Sequence, residues 1–223
     1  MVTWGGVAIY QGDYSAARAY IEQSLEIYRE IENKHGITIA LSNLGNVAID
    51  QGDYAAAMAY HEQTLKISEE IGNRPGIASS QMGLGNVAKF QGDYGAARAF
   101  YEQSVEIRKE IGDRQGMVES MEAFAMLAAS SCHISALPTE TTTAPENVGA
   151  YLQRAPRLWG AAQALREQIG APLSPGEQKE QDAKVAEARQ QLDGEEWTAA
   201  WEAGRQMSLE EAVAYALQGN EEG

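Results

Sequence analysis

Apolar positions along this chain follow a helical rhythm that is broken and restarted at fixed points. Ile37, Leu41, Leu44 and Ala48 fall at spacings of 4, 3 and 4, which puts them on one stripe of a helix predicted over residues 37 to 50. Gln51, Gly52, Asp53 and Tyr54 then interrupt the pattern. Gly52 can take the left-handed conformation in which helices often end, and Asp53 can accept the unpaired N–H groups of a following helix, so the phrase reads as a stop joined to a start. From Tyr54 the positions Ala57, His61, Thr64, Leu65, Ser68 and Ile71 stay in phase up to Gly72, predicting a second helix of about five turns. Gly72, Asn73, Arg74, Pro75 and Gly76 break the chain again, with Pro75 where the first turn of a helix tolerates it.

This pair of helices is one copy of a repeat. Gln11-Gly12-Asp13-Tyr14 and Gln91-Gly92-Asp93-Tyr94 restate the stop-start phrase at intervals of 40 residues. A fixed period of this size marks a stacked repeat protein, in which each copy covers the apolar face of its neighbour. The next copy is predicted as a first (A) helix over about 76 to 90 and a second (B) helix from Asp93 to Ile111, and Asp13 to Ile31 is the earliest B helix. Only about ten residues precede Gln11, so the earliest A helix reads as truncated, with Trp4, Val7 and Ile9 offering an apolar edge for self-association into a symmetric dimer.

Small residues recur where the two helices must approach closely: Gly5, Gly45 and Gly85 in A helices, Ala17, Ala57 and Ala97 twelve positions later, with Leu44 and Leu84 before the glycines. In this the chain resembles the tetratricopeptide repeat, whose usual unit is 34 residues. The 40-residue version with Leu-Gly-Asn-Val-Ala in the A helix is similar to repeats of kinesin light chains and many bacterial regulators. The resemblance covers residues 1 to 130 and implies an all-α fold of antiparallel helix hairpins stacked as a right-handed superhelix, an α-solenoid whose A helices line the concave side. It implies a non-catalytic scaffold that binds a protein or peptide there. The candidate groove residues are Ile39, Ser42, Asn46, Ile49 and Asp50, opposite Leu41 and Leu44, with their counterparts Ser79, Met82, Asn86, Lys89 and Phe90, then Glu119, Glu122 and Met126. In related repeats an Asn at this place often bonds the backbone of a bound peptide, a role that Asn46 and Asn86 take over by position and Gly6 and Met126 do not. The same amide could instead hold a neighbouring helix and fix the stacking.

Beyond the regular copies the phrase disappears. A fourth A helix is predicted from Gln115 to about Ser130, then an irregular loop over 131–147, a last B-like helix within 148–174, and a helical cap over 175–223 opened by Ser174, Pro175 and Glu177 and reinforced by Ser208 and Glu211. Trp159 is expected to pack into the preceding repeat. The wording Arg157-Leu-Trp-Gly-Ala-Ala-Gln-Ala-Leu-Arg166 and Ser208-Leu-Glu-Glu-Ala-Val-Ala-Tyr-Ala-Leu217 resembles the C-terminal end of large bacterial regulators, in which a STAND-type ATPase precedes a tetratricopeptide sensor arm. No phosphate-binding loop of the Gly-x-x-x-x-Gly-Lys-Ser/Thr type occurs in this chain.

Charge narrows the partner. The net charge is -15, with 32 acidic against 17 basic residues, which opposes nucleic acid and anionic membrane surfaces. Residues 175–223 hold 12 acidic and 4 basic side chains of this total. The groove has few cations, so a peptide or helix with apolar anchors and some basic character fits it better than one read through a terminal carboxylate. Cys132 is the single cysteine, so no intrachain disulfide is possible, and with no secretory signal the expected compartment is the cytoplasm. Cys132 and His133 are adjacent and do not complete a metal set, the abundant Glu residues recur on polar helix faces, and His61 stands where other copies place Ile21 and Tyr101, a packing position. No catalytic residues, metal or cofactor are expected. The rival from another class is a small-molecule sensor or hydrolase with residues 131–147 as a lid.

Overall fold

The turn phrases work as caps. In the computed structural model, which describes residues 13–135, 152–173, 175–190 and 192–218, every regular element among the described residues is an α-helix: α1 (Tyr14–Glu30), α2 (Lys34–Asp50), α3 (Tyr54–Ile71), α4 (Arg74–Phe90), α5 (Tyr94–Ile111), α6 (Arg114–Ser135), α7 (Arg154–Ile169), α8 (Pro175–Arg189), α9 (Gly194–Arg205) and α10 (Leu209–Leu217). The carboxylates of Asp13, Asp53 and Asp93 accept the backbone N–H of Ala16, Ala56 and Ala96 at 3.0, 3.1 and 2.9 Å and so open α1, α3 and α5. Asn33, Asn73 and Asp113 do the same for Gly36, Gly76 and Gly116 at 3.0, 3.3 and 2.9 Å. These second caps start the A helices at Lys34, Arg74 and Arg114, ahead of the expected Ile37, Gly76 and Gln115.

Helix ends follow the same period. Gly72 and Gly112 close α3 and α5 in the left-handed region at φ 67° and 70°. Forty residues before Gly72 the chain carries Glu32, which takes φ 51° with a side chain attached. The last A-type helix, α6, continues to Ser135, so the predicted loop over 131–147 begins at least five residues later than expected; its remainder lies outside the described residues, as do Trp4, Val7 and Ile9.

The chain divides at Gly112 into two compact units. In the first, each helix packs on the next from α1 to α5, and the A helices α2 and α4 also touch. The connections are too short for anything but antiparallel neighbours. Ile21 and Leu25 of α1 meet Leu41, Leu44 and Val47 of α2 in one core cluster, and Ala48, Ala57 and Val87 form another where α2, α3 and α4 converge. Tyr54 stacks on Phe90, with ring centroids 5.6 Å apart and planes 7° from parallel. Exposed ion pairs, Lys34 with Glu70 at 3.0 Å and Arg74 with Glu110, repeat the register on the surface, where each adds little stability.

In the second unit α6 pairs with α7, α9 crosses α7, and α10 packs on both α6 and α7. The crossing of α7 and α9 is closed by two glycines. A Cβ on Gly160 would collide with the carbonyl of Trp201, and one on Gly204 with the carbonyl of Arg157. Trp159 is buried with its ring beside Trp197 at 6.3 Å between centroids, and Trp197 lies 6.2 Å from Trp201, so its aromatic partners come from α9. The buried Arg154 reaches the last carbonyls of α10, donating to Tyr215 and Ala216 at 3.0 and 2.7 Å, where a cation also complements the helix dipole. Ser208 and Glu211 form the reciprocal cap read from the sequence.

Two substitutions test these devices by chemical denaturation. Glu32→Gly is expected to stabilise the protein by about 0.5–1 kcal/mol, because Gly relieves the left-handed position that Gly72 and Gly112 already occupy elsewhere. Gly204→Ala is expected to cost about 2 kcal/mol or more by forcing α9 off α7, while Gly194→Ala, whose added methyl meets nothing within 4 Å, changes stability by less than about 0.5 kcal/mol.

Candidate functional site

The A helices turn one side to the core and the other outward. Leu41, Leu44 and Val47 of α2, and Leu84 and Val87 of α4, are buried. On the opposite side Ile39 is 44 % exposed and Phe90 49 %, Asn46 and Asp50 are exposed, and Ser42, Ile49, Met82 and Asn86 are half-buried. Lys89 is buried rather than projecting, with its ammonium 4.7 Å above the Phe90 ring. A cleft of about 260 Å³ lies in this unit where α2 faces the start of α4; Ile39 and Pro75 provide its apolar wall, and Ser42, Asn43, Thr64, Asn73 and Ser79 its hydroxyl and amide lining.

The two asparagines differ. The Asn86 Oδ1 accepts a 2.7 Å hydrogen bond from the hydroxyl of Tyr101, which is fully buried in the α4–α5 hairpin. Burial also pushes the Tyr101 phenol above its ordinary pKa, so it stays a donor. Asn46 holds the same place on α2, but the residue across its hairpin is His61, which is shorter than Tyr and makes no bond to it. Asn46 is therefore exposed and without a side-chain hydrogen bond among the described residues, whereas Asn86 is engaged in its own hairpin. The sequence offered a hint of this in the Tyr-to-His exchange at the facing position.

His61 itself is packed and not presented. It is 0 % exposed, and its ring rests against the backbones of Gly45 and Gly83, where an added Cβ would overlap it. Burial lowers its pKa to about 4, so the imidazole is neutral at pH 7.

Glu122 and Met126 belong to the second unit. Glu122 makes a two-pronged pair with Arg166, at 2.7 and 2.8 Å, and Arg166 also donates to the Ala171 carbonyl at 3.2 Å. Both side chains are largely withdrawn from solvent, and the carboxylate holds the guanidinium above its ordinary pKa. Clefts of about 310 and 520 Å³ flank this pair under α8, with Met126 in the smaller and Trp201 in the larger. Their lining mixes carboxylates, glutamines and apolar groups, and contains no nucleophile next to a base. Among the described residues no three His, Cys, Asp or Glu side chains converge to hold a metal ion, and no helix is long and apolar enough to cross a membrane.

The model of the tetratricopeptide repeat family matches residues 1–70 and 36–110. Together with the stacked hairpins this identifies the repeat region as tetratricopeptide repeats, a class that generally mediates protein–protein interaction. No curated protein matches the chain.

The asparagines separate by stability. Asn86→Ala removes the acceptor of a buried hydroxyl and is expected to cost about 1–2 kcal/mol in urea denaturation, while Asn46→Ala is expected to stay within about 0.5 kcal/mol of the parent.

Proposed function

We propose that this protein is a non-catalytic protein-binding module whose partner, a peptide or helix with apolar anchors and some basic residues, lies along the outward side of α2 and α4. The observation that carries the reading is the pairing of two large exposed apolar side chains, Ile39 and Phe90, with the exposed amide of Asn46 on helices whose other side is fully used by the core. Apolar anchors supply affinity in such a groove, and an amide that both donates and accepts suits a peptide backbone. The net charge of -15 favours a basic partner through steering. In the same reading the chain serves as the regulatory arm of a larger bacterial signalling protein, supported by the wording that begins at Arg157.

Panning a phage-displayed peptide library against the whole chain tests the proposal. Selected peptides are expected to be enriched in Lys or Arg beside apolar residues, and the double variant Ile39→Ser, Phe90→Ser to bind them at least tenfold more weakly with an unchanged helical circular dichroism spectrum. Equal binding by the folded double variant overturns it.

A further inference from the structure

We propose that His61 makes the junction of α2, α3 and α4 an acid-sensitive lock: uptake of one proton by its imidazole parts α4 from the α2–α3 hairpin. The ring is completely buried, and neither of its nitrogens has a hydrogen-bond partner among the described residues. It is held between the backbones of Gly45 on α2 and Gly83 on α4 so closely that a methyl group at either glycine would overlap it. An imidazolium brings a second N–H donor and a full charge into this slot, and both are costly without an acceptor or a counter-charge.

The charged groups around the slot do not provide one. On α3 itself Glu62, Lys66, Glu69 and Glu70 are exposed, and the other titratable groups are Tyr54 and Tyr60. Charge on α2 is confined to its ends, at Lys34, His35 and Asp50, and on α4 to Arg74 and Lys89. None of these shifts His61, whose pKa falls from 6.5 to about 4 through burial alone. The direction of linkage follows. The folded-state pKa lies below that of the open state, so this stabilisation is fully present above pH 6.5 and falls tenfold in equilibrium constant per pH unit down to about pH 4.

The response is confined to one junction. In the next hairpin the same place holds Tyr101, whose hydroxyl is bonded to Asn86 and does not titrate in this range, and in the preceding one it holds Ile21, which cannot titrate. Because α2 and α4 carry the two halves of the proposed binding face, opening this junction divides that face. That consequence rests on the groove reading, so the lock is tested without any partner.

The experiment is urea denaturation of the whole chain from pH 7 to pH 5 for the parent, His61→Tyr and His61→Ile, the two replacements being residues this chain already uses at the equivalent positions. It is joined by an NMR titration of the His61 ring, with exposed His35 as reference, and by amide hydrogen exchange across residues 54–90. Between pH 7 and pH 5 the parent is expected to lose about 30-fold more in folding equilibrium than either variant, with His61 neutral until close to pH 4 and protection of α4 lost first. Equal pH dependence in parent and variants, or His61 titrating near 6.5 in the folded chain, overturns the proposal. If neither variant folds, the titration and exchange of the parent decide it alone.

Discussion

Each hairpin of the repeat region depends on a ring from its second helix lying flat on a glycine of its first. His61 rests on Gly45 in the α2–α3 hairpin and Tyr101 on Gly85 in the α4–α5 hairpin. A side chain at either glycine would hold the helices apart, so the absent Cβ sets the interaxial distance, and close packing then fixes what can stand around it. Ala57 and Ala97 are fully buried beside these contacts because nothing larger fits a pair of helices brought so near. The caps serve the same constraint from a distance. A ring can meet a glycine 16 residues earlier only if the intervening turn has a fixed length, and Gly52-Asp53 and Gly92-Asp93 provide it.

That dependence explains which parts of the structure could be read in the sequence. Period, hairpin order and the buried stripe through Leu41 and Leu44 are local or repeated, so they leave a pattern in one dimension. The A-helix starts were placed late because Asn33 and Asn73 stand in stretches whose Gly, Pro and charged residues look like an uninterrupted break. At Glu32 the punctuation is missing altogether: the backbone takes the left-handed form, but the residue that usually announces it is absent. Polar pairings across the fold were not legible. Tyr101 to Asn86 spans 15 residues, Glu122 to Arg166 spans 44, and Arg154 to Ala216 spans 62. Their existence depends on where helices cross, which no helical periodicity records.

The candidate site shows the same division at the scale of a single side chain. Asn46 and Asn86 are the same letter in the same register, and periodicity assigns them one role. The facing residue decides otherwise, because a phenol reaches an amide across a hairpin and an imidazole does not. With Tyr101 opposite, the amide becomes part of the hairpin; with His61 opposite, it stays in solvent and the imidazole is sealed beneath the next helix. One exchange thus creates both an available amide on the surface and an unpaired polar ring in the core, which is why the outward face and the junction behind it belong to one argument.

The second unit obtains close helix contact by another route. Gly160 and Gly204 bring α7 and α9 together backbone to backbone, with carbonyl oxygens where the repeat region has rings. No ring has to be matched to a turn of fixed length, so the stop-start phrase loses its purpose there, in agreement with its disappearance after Ser130. What takes over the task of fixing register is the pair of Glu122 on α6 with Arg166 on α7. A buried ion pair adds little net stability, since desolvation offsets most of the attraction, but sliding one helix by a turn would strand both charges away from water and from each other. The α6–α7 hairpin is therefore aligned by the cost of its wrong registers rather than by the strength of its right one.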